Sequence, residues 1–261
     1  RETLINWKYV HAIPDKTVHD AVKLTLTNDE IKKLHPADLA DILEELDNNA
    51  RKIVFNELDH DLAAETLSEV EHDLQASLLK NEDPTLAAKI IEKMGTDEAV
   101  DVLNELEDEK VDQIISKIKD NDIQEDLIEL LEYKEDSAGG LMSTEVFEIS
   151  PHHKKSTILS IIQNTKDEFE SIYDIYIVDA HNRLIGTCSL YKLLIQQEDL
   201  EIGEIMETKD IKSMSPKMPW KDVASFMSKY NLINVPIIDN FSKLLGIISV
   251  DDVLPWLLKE K

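Results

Sequence analysis

Carboxylates are the most abundant side chains in this 261-residue sequence that could do chemistry. There are 54 Asp and Glu residues against 28 Lys and Arg, so the formal net charge is −26. The excess lies mainly in residues 1–136, which carry a net charge of −21, whereas the remainder carries −5. Carboxylate oxygens are the ligands that hard cations prefer, and so negative a field repels nucleic-acid phosphates. The composition therefore predicts a cation or a basic protein as partner and no nucleic acid; acidity that only maintains solubility is the open alternative.

Other residue types that support catalysis are sparse. The adjacent pair His152-His153 has no further ligand at helical spacing, and the remaining histidines have no Cys or His partners at zinc spacing. Phosphate-binding and serine-hydrolase motifs are absent from the sequence, so we predict that the chain is not an enzyme. The single Cys188 cannot form an internal disulfide, which favours a reducing compartment. The apolar runs, such as Leu244–Val250, are strand-sized and too short to span a bilayer.

The first half of the sequence has the pattern of short, stacked helices. Apolar residues recur at i, i+3, i+4 and i+7 from Leu34 to Leu131, and breaks with capping residues follow roughly every 12 residues. The breaks are His35-Pro36, Asp47–Asn49, Asp83–Thr85 and Gly95–Asp97. Helices this short are marginal alone, so we predict an all-α superhelical domain in which each helix packs on its neighbours. A leading helix is also predicted near Val18–Leu26.

The second half contains an internal repeat. Ile177–Asp179 matches Ile237–Asp239 and Leu184–Gly186 matches Leu244–Gly246, both at an offset of 60 residues. Each copy has the pattern strand, helix, strand, strand, helix, with a polar hairpin turn between the paired strands. The predicted turns are Asp179–Arg183 and Asp239–Lys243. We therefore predict two small α/β modules of one kind.

The repeat resembles a tandem pair of CBS domains, which are regulatory α/β modules. The matching features are Leu141-Met142 and Ile205-Met206 at the start of each copy, the two hairpins, and Ser249–Val253 at the end. CBS pairs commonly dimerise and often bind adenine nucleotides in clefts between the copies. The resemblance thus implies a homodimer through the CBS domains and ATP or another adenine nucleotide as a possible ligand. The nucleotide signature of Ser or Thr followed three residues later by Asp is present as Ser249 and Asp252.

The segment Tyr133–Met142, which joins an acidic helical domain to a CBS pair, closely resembles the MgtE magnesium transporters. The resemblance implies an N-type helical domain at 1–136, a first CBS domain at 137–200 and a second at 201–261. It also implies the cytoplasmic face of a bacterial cell membrane as location, and a C-terminal transmembrane pore domain as partner. In that family, Mg²⁺ ions bound between the helical domain and the CBS pair favour the closed pore.

The family's ligand positions fall on five residues of this sequence. They are Glu65, Asp97 and Asp101 in the helical half, Asp252 in the second CBS copy, and the carbonyl of Gly140. At other family positions Lys221, Asn231 and Pro255 replace acidic residues, which implies fewer or weaker ion sites. The alternative to a Mg²⁺ sensor is a free-standing CBS adenine-nucleotide sensor whose acidic solenoid docks a protein partner.

Overall fold

The computed structural model describes residues 10–12, 22–24, 33–165, 169 and 172–259. Strands β1 (Val10–Ala12) and β2 (Val22–Leu24) pair antiparallel. The predicted leading helix is therefore wrong at Val22–Leu24, where apolar, polar and apolar residues alternate with the period of a strand. The other residues of that prediction lie outside the described part of the chain.

The described residues fall into two compact units. The first comprises those up to Met94 together with Val102–Gln124, and the second comprises Gly95–Asp101 together with the residues from Glu125 onward. The predicted domain boundaries after residues 136 and 200 stay predictions.

Successive helices of the acidic half begin every 12 or 13 residues, which confirms the predicted spacing. They are α1 (Pro36–Glu45), α2 (Asn48–Asn56), α3 (His60–Glu69), α4 (His72–Leu79), α5 (Pro84–Ile91), α6 (Thr96–Asn104), α7 (Asp108–Ile115) and α8 (Asn121–Leu130). Helix α1 contacts α3, α3 contacts α5, and α5 contacts α7. The apolar stripes supply the contacts, since Leu39, Leu67 and Ile114 are fully buried.

The predicted breaks are helix N-caps. Asp47 Oδ1 accepts from the N–H groups of Asn49 and Ala50 at 2.9 and 3.0 Å, and Asp83 Oδ1 accepts from Thr85 N–H at 2.9 Å. Each carboxylate satisfies backbone donors that the first helical turn leaves unpaired. Asp47 and Asp83 therefore have a structural role that needs no bound ion.

The second unit contains both copies of the α/β module. The first copy has α9 (Ala138–Leu141), β3 (Glu148–Ile149), α10 (Lys155–Asn164), β4 (Asp174–Val178), β5 (Leu184–Ser189) and α11 (Leu190–Leu194). The second has α12 (Ile202–Ile205), α13 (Trp220–Tyr230), β6 (Asn234–Ile238), β7 (Leu244–Ser249) and α14 (Val250–Lys259). Strands β4 and β5 pair antiparallel, as do β6 and β7, which confirms both predicted hairpins.

The two copies are joined by reciprocal contacts. Ser143 exchanges two backbone hydrogen bonds with Ile247 of the other copy, and Thr187 does the same with Glu207. A Cβ on Gly246 would lie 2.5 Å from the carbonyl oxygen of Ser143, and a Cβ on Gly186 would lie 2.5 Å from Met206 Sδ. Strands β5 and β7 therefore each need a glycine where the leading segment of the other copy crosses them.

Candidate functional site

A network of hydroxyl groups fixes the start of helix α6. Thr96 is 4% exposed, and its Oγ1 accepts from Thr144 N–H at 2.9 Å. Thr144 Oγ1 donates to Asp126 Oδ2 at 2.7 Å, and Ser143 Oγ lies 3.4 Å from Thr96 Oγ1. The sequence indicated a cap at Thr96 but gave no sign of these contacts, which hold the first turn of α6 against the segment before β3. The next residue of that turn is Asp97.

The Asp97 carboxylate is partly buried among other acidic groups. Burial raises its pKa well above the usual 3.8, and repulsion from Asp252, Glu98 and Glu145 raises the pKa further. All these effects disfavour the charged carboxylate. A positive charge at this point would therefore be favourable, because it offsets both the repulsion and the desolvation.

Asp252 lies in the first turn of helix α14, directly after strand β7. Its Oδ2 accepts from Ser249 N–H at 2.6 Å and from Ser249 Oγ at 2.9 Å. A third-position carboxylate that bonds back to the residue before a helix is one half of a capping box. These hydrogen bonds join Ser249 to Asp252, and Asp252 lies close enough to Asp97 for the two carboxylates to repel.

The remaining predicted ligands are placed differently. Asp101 is exposed one turn further along α6, and Glu65 is exposed on α3, in the first unit. Gly140 is buried in α9, where an added Cβ would lie 2.3 Å from the carbonyl oxygen of Lys134. Close packing alone requires glycine there, so its presence does not by itself indicate a carbonyl ligand.

The corresponding place in the first copy carries a different charge pattern. Ser189 caps α11 by accepting from Lys192 N–H at 3.2 Å, and Lys192 Nζ lies 3.2 Å from Glu207 Oε1. Burial raises the pKa of Asp174 on β4, and Glu207 raises it further. Both copies therefore have the serine, but three residues later the first copy has a lysine in an ion pair and the second has the Asp252 carboxylate.

Asn234 is a polar residue that the sequence interpretation missed. It is 6% exposed and pairs directly with Ser249 across strands β6 and β7. Its Oδ1 is buried and has no hydrogen-bond partner. The available signal was the position of Asn234 in the repeat, because it aligns with Asp174 at the offset of 60 residues and interrupts an otherwise apolar strand.

A separate cavity of about 240 Å³ lies beside the hairpin turns in the second unit. It is lined by Asp126, Glu129, Glu148 and Lys243, among others. Burial raises the pKa of Glu148, whereas Lys243 lowers it. With its amide turned to face that carboxylate, Asn182 donates to both Glu148 oxygens at 3.1 and 2.9 Å. These contacts show how the polar lining groups are satisfied and do not identify a ligand.

Comparisons with known proteins agree on one family. The family model of the MgtE intracellular N domain matches residues 34–136, and that of the CBS domain matches residues 202–259. A crystal structure of the cytosolic domain of the Mg²⁺ channel MgtE in complex with ATP superposes with a TM-score of 0.81 and 30% identity, covering 88% of this chain and 93% of that one. The chain belongs to the MgtE family. A crystal structure of the soluble part of a magnesium transporter is also similar, with a TM-score of 0.82, 28% identity, and coverage of 89% and 91%.

The curated MgtE relatives are much longer than this chain. The magnesium transporter MgtE of Enterococcus faecalis is 34% identical over 126 residues, which are 48% of this chain and 28% of the relative. That of Thermus thermophilus is 34% identical over 131 residues, which are 50% of this chain and 29% of the relative. The matched part thus spans under a third of either protein. The predicted fold class, a helical N-terminal part followed by a CBS pair, is confirmed.

The donor set of this MgtE chain suits a hydrated Mg²⁺ ion better than a closed metal cage. Asp97 and Asp252 offer carboxylate oxygens, and Mg²⁺ commonly binds through one or two carboxylates while it keeps several waters. Across residues 33–165 and 172–259, no three His, Cys, Asp or Glu side chains converge as a metal-ligand group. None of the described helices is long and apolar enough to cross a membrane.

Two of the departures from the MgtE ligand pattern have local structural roles. Asn231 ends α13 with φ 54°, a left-handed conformation that asparagine adopts more readily than most residues. Pro255 lies inside α14, where it has no N–H to complete the helical ladder. At the third position, Lys221 Nζ lies 5.5 Å from the centre of the Trp220 ring.

Proposed function

We propose that this chain is the Mg²⁺-sensing regulatory region of a magnesium transporter. The observation that carries the proposal is the placement of Asp97 beside Asp252, with burial and mutual repulsion acting on the same carboxylate. Asp97 belongs to the segment that matches the MgtE N domain, and Asp252 belongs to the segment that matches the CBS domain. An ion that binds both carboxylates therefore links the two sequence regions.

The mechanism is a shift between two conformational populations. With Mg²⁺ bound, the carboxylates are neutralised and the conformation that brings them together is favoured. Without the ion, their repulsion favours conformations in which they separate. A ligand shifts such an equilibrium only by its difference in affinity for the two states, and the paired carboxylates supply that difference. In the full-length transporter the ion-bound state favours the closed pore, and Glu65, Asp101 and the Gly140 carbonyl are proposed as further ligands.

The proposed partners are a second copy of the chain and a C-terminal transmembrane pore domain. Support for the homodimer comes from the closing helices of the two copies, which expose apolar side chains. These are Tyr191, Leu194 and Ile195 after β5, and Val250, Leu254 and Leu258 after β7. Exposed apolar patches mark interaction surfaces more often than isolated exposed residues do. The proposed location is the cytoplasmic face of the membrane, and the proposed role is regulatory and not enzymatic.

Small-angle scattering tests the proposal. The 261-residue chain is titrated with MgCl₂, and a parallel series holds ionic strength equal with KCl. A decrease in the radius of gyration that is specific to Mg²⁺ and absent from Asp97→Ala and Asp252→Ala supports the proposed sensor. An unchanged radius through the millimolar range, or the same compaction in KCl, refutes it.

Adenine-nucleotide binding is a second proposed function of the same region. It is favoured by the contact between Ser249 and Asp252 at the end of β7, and the similar MgtE cytosolic domain was crystallised with ATP. Asp252 is shared by both proposals, so Mg²⁺ at Asp97 and a nucleotide at Ser249 would compete. Tight nucleotide binding without any response to Mg²⁺ would instead favour the free-standing nucleotide sensor.

A further inference from the structure

The Asn234 side chain is buried without the hydrogen bond that burial demands. Its Oδ1 has no partner within the described part of the chain, and the residue is 6% exposed. Leaving a buried acceptor unsatisfied costs about 1–3 kcal/mol. An apolar side chain would fill the same space without this cost, so the presence of asparagine requires an explanation.

The strand register places this amide next to the paired carboxylates. Asn234 and Ser249 are directly opposed in the antiparallel pair of β6 and β7, so their side chains project from the same face with Cβ atoms about 4.5–5.5 Å apart. Ser249 Oγ in turn donates to Asp252 Oδ2 at 2.9 Å. Asn234 is therefore opposed to the serine that hydrogen-bonds Asp252.

Among the described residues, two other buried side-chain oxygens lack partners, and both differ from Asn234 in their surroundings. Thr66 Oγ1 lies in helix α3 of the first unit. Tyr176 Oη belongs to a residue that packs in an apolar cluster with Leu184 and Leu244. Of these three residues, only Asn234 is paired across a strand ladder with a residue that hydrogen-bonds a predicted ligand. That residue is Ser249, and the ligand is Asp252.

We propose that the Asn234 amide oxygen is a further oxygen donor of the Mg²⁺ site at Asp97 and Asp252. The inference rests on the proposed Mg²⁺ site and names an additional residue of it. An amide oxygen suits this position because it contributes a dipole without a third negative charge. Hard cations accept such neutral oxygen ligands, either directly or through a coordinated water.

The first copy supports this assignment by contrast. At the position of Asn234 it has Asp174, and at the position of Asp252 it has Lys192, which pairs with Glu207. A carboxylate on the strand is thus combined with a lysine on the following helix. In the second copy the helix carries the carboxylate, and the strand carries a neutral amide. The substitution of Asn for Asp limits the repulsion at a place where Asp97 adds its own charge.

The test compares Asn234→Leu with Asn234→Asp by calorimetric MgCl₂ titration and by thermal unfolding with and without Mg²⁺. Leu has the same branching at Cγ without the oxygen, and Asp retains an oxygen. We expect Asn234→Leu to weaken Mg²⁺ binding about tenfold, in the range found when supporting groups of metal sites are removed. Without Mg²⁺ its Tm should equal or exceed that of the unsubstituted chain, because the orphaned acceptor is gone. Asn234→Asp should retain Mg²⁺ binding, and the control Asp174→Asn in the first copy should leave it unchanged.

The outcomes separate this inference from the proposed function. Unchanged Mg²⁺ affinity in Asn234→Leu, together with loss of binding in Asp97→Asn, overturns the inference and leaves the Mg²⁺ site standing. Unchanged affinity in both variants overturns the proposed function itself. A lower Tm of Asn234→Leu in the absence of Mg²⁺ shows a structural role for the amide and overturns the inference. Weaker binding of ATP with unchanged Mg²⁺ affinity also overturns it, because the amide would then serve a nucleotide.

Discussion

Replacing Asp97 with asparagine should raise the stability of the Mg²⁺-free chain and remove its response to Mg²⁺. The substitution keeps the shape of the side chain and deletes the charge that burial and Asp252 disfavour. One effect opposes the gain, because an acidic residue in the first turn of α6 interacts favourably with the helix dipole, by about 0.3–1 kcal/mol. The sign of the result therefore depends on which contribution is larger.

The repulsion is the larger contribution. For an assumed separation of about 5 Å, two unit charges repel by about 3 kcal/mol at an effective dielectric constant near 20. Both carboxylates are partly accessible to solvent, which screens the repulsion to about 1 kcal/mol. After subtraction of the dipole contribution, Asp97→Asn should gain up to about 0.7 kcal/mol. For a chain of this size each kcal/mol shifts Tm by about 2–4 °C, so we expect a rise of up to about 3 °C.

Differential scanning calorimetry with and without MgCl₂ measures both parts of the prediction. At tenfold excess over its Kd, a ligand that binds only the folded state stabilises it by about 1.4 kcal/mol, so the unsubstituted chain should gain Tm on addition of Mg²⁺. Asp97→Asn should start higher and gain little. The matched control is Asp108→Asn, which removes an exposed first-turn carboxylate from α7 and should keep the full Mg²⁺ response. A lower Tm for Asp97→Asn in Mg²⁺-free buffer, or an undiminished Mg²⁺ gain, would refute the reasoning.

Three further substitutions test the contacts around the site by thermal unfolding. Gly246→Ala should lower Tm more than the equivalent Gly186→Ala, because its Cβ meets a backbone carbonyl and not a flexible methionine. Equal losses of Tm would contradict this difference between the two contacts. Thr96→Val should cost about 1–3 kcal/mol by leaving the Thr144 N–H unsatisfied, whereas Thr96→Ser keeps the acceptor and should cost less. Pro255→Ala should raise stability by about 1–3 kcal/mol by restoring a helical hydrogen bond, and an unchanged Tm would show that α14 does not benefit from that bond.

Helix and strand positions could be predicted from the sequence because they depend on local patterns. The 12-residue spacing of breaks gave the helices of the acidic half, and Asp47 and Asp83 proved to be caps as their types indicated. The hairpins followed from the repeated apolar runs that are joined by polar turns at Asp179–Arg183 and Asp239–Lys243. The strand at Val22–Leu24 was missed because a three-residue alternation is too short to distinguish from one face of a helix.

The site could be predicted only in part, because its contacts join distant segments. The i, i+3 spacing of Ser249 and Asp252 is local and gave their contact. The proximity of Asp97 to Asp252 was implied only by resemblance to MgtE, since 155 residues separate them in the sequence. The network from Thr96 to Thr144 bridges 48 residues, and the orphaned amide of Asn234 depends on which groups surround it after folding. The repeat marks Asn234 as a polar strand position, but residue types and spacing do not show which groups surround it or that Thr96 contacts Thr144.

The two CBS-like copies share a backbone and differ in where they place charge. Each has a strand residue opposed to the serine that ends the hairpin, at Asp174 and Asn234. In the first copy Lys192 on the closing helix forms an ion pair, so a positive group is already present. In the second copy the closing helix instead contributes Asp252, whose repulsion helps to raise the pKa of Asp97. At these equivalent positions the second copy therefore has a carboxylate facing Asp97 where the first copy has a lysine paired with Glu207. The two copies thus offer equivalent positions, and the exchange of lysine for aspartate restricts the proposed ion site to the second copy.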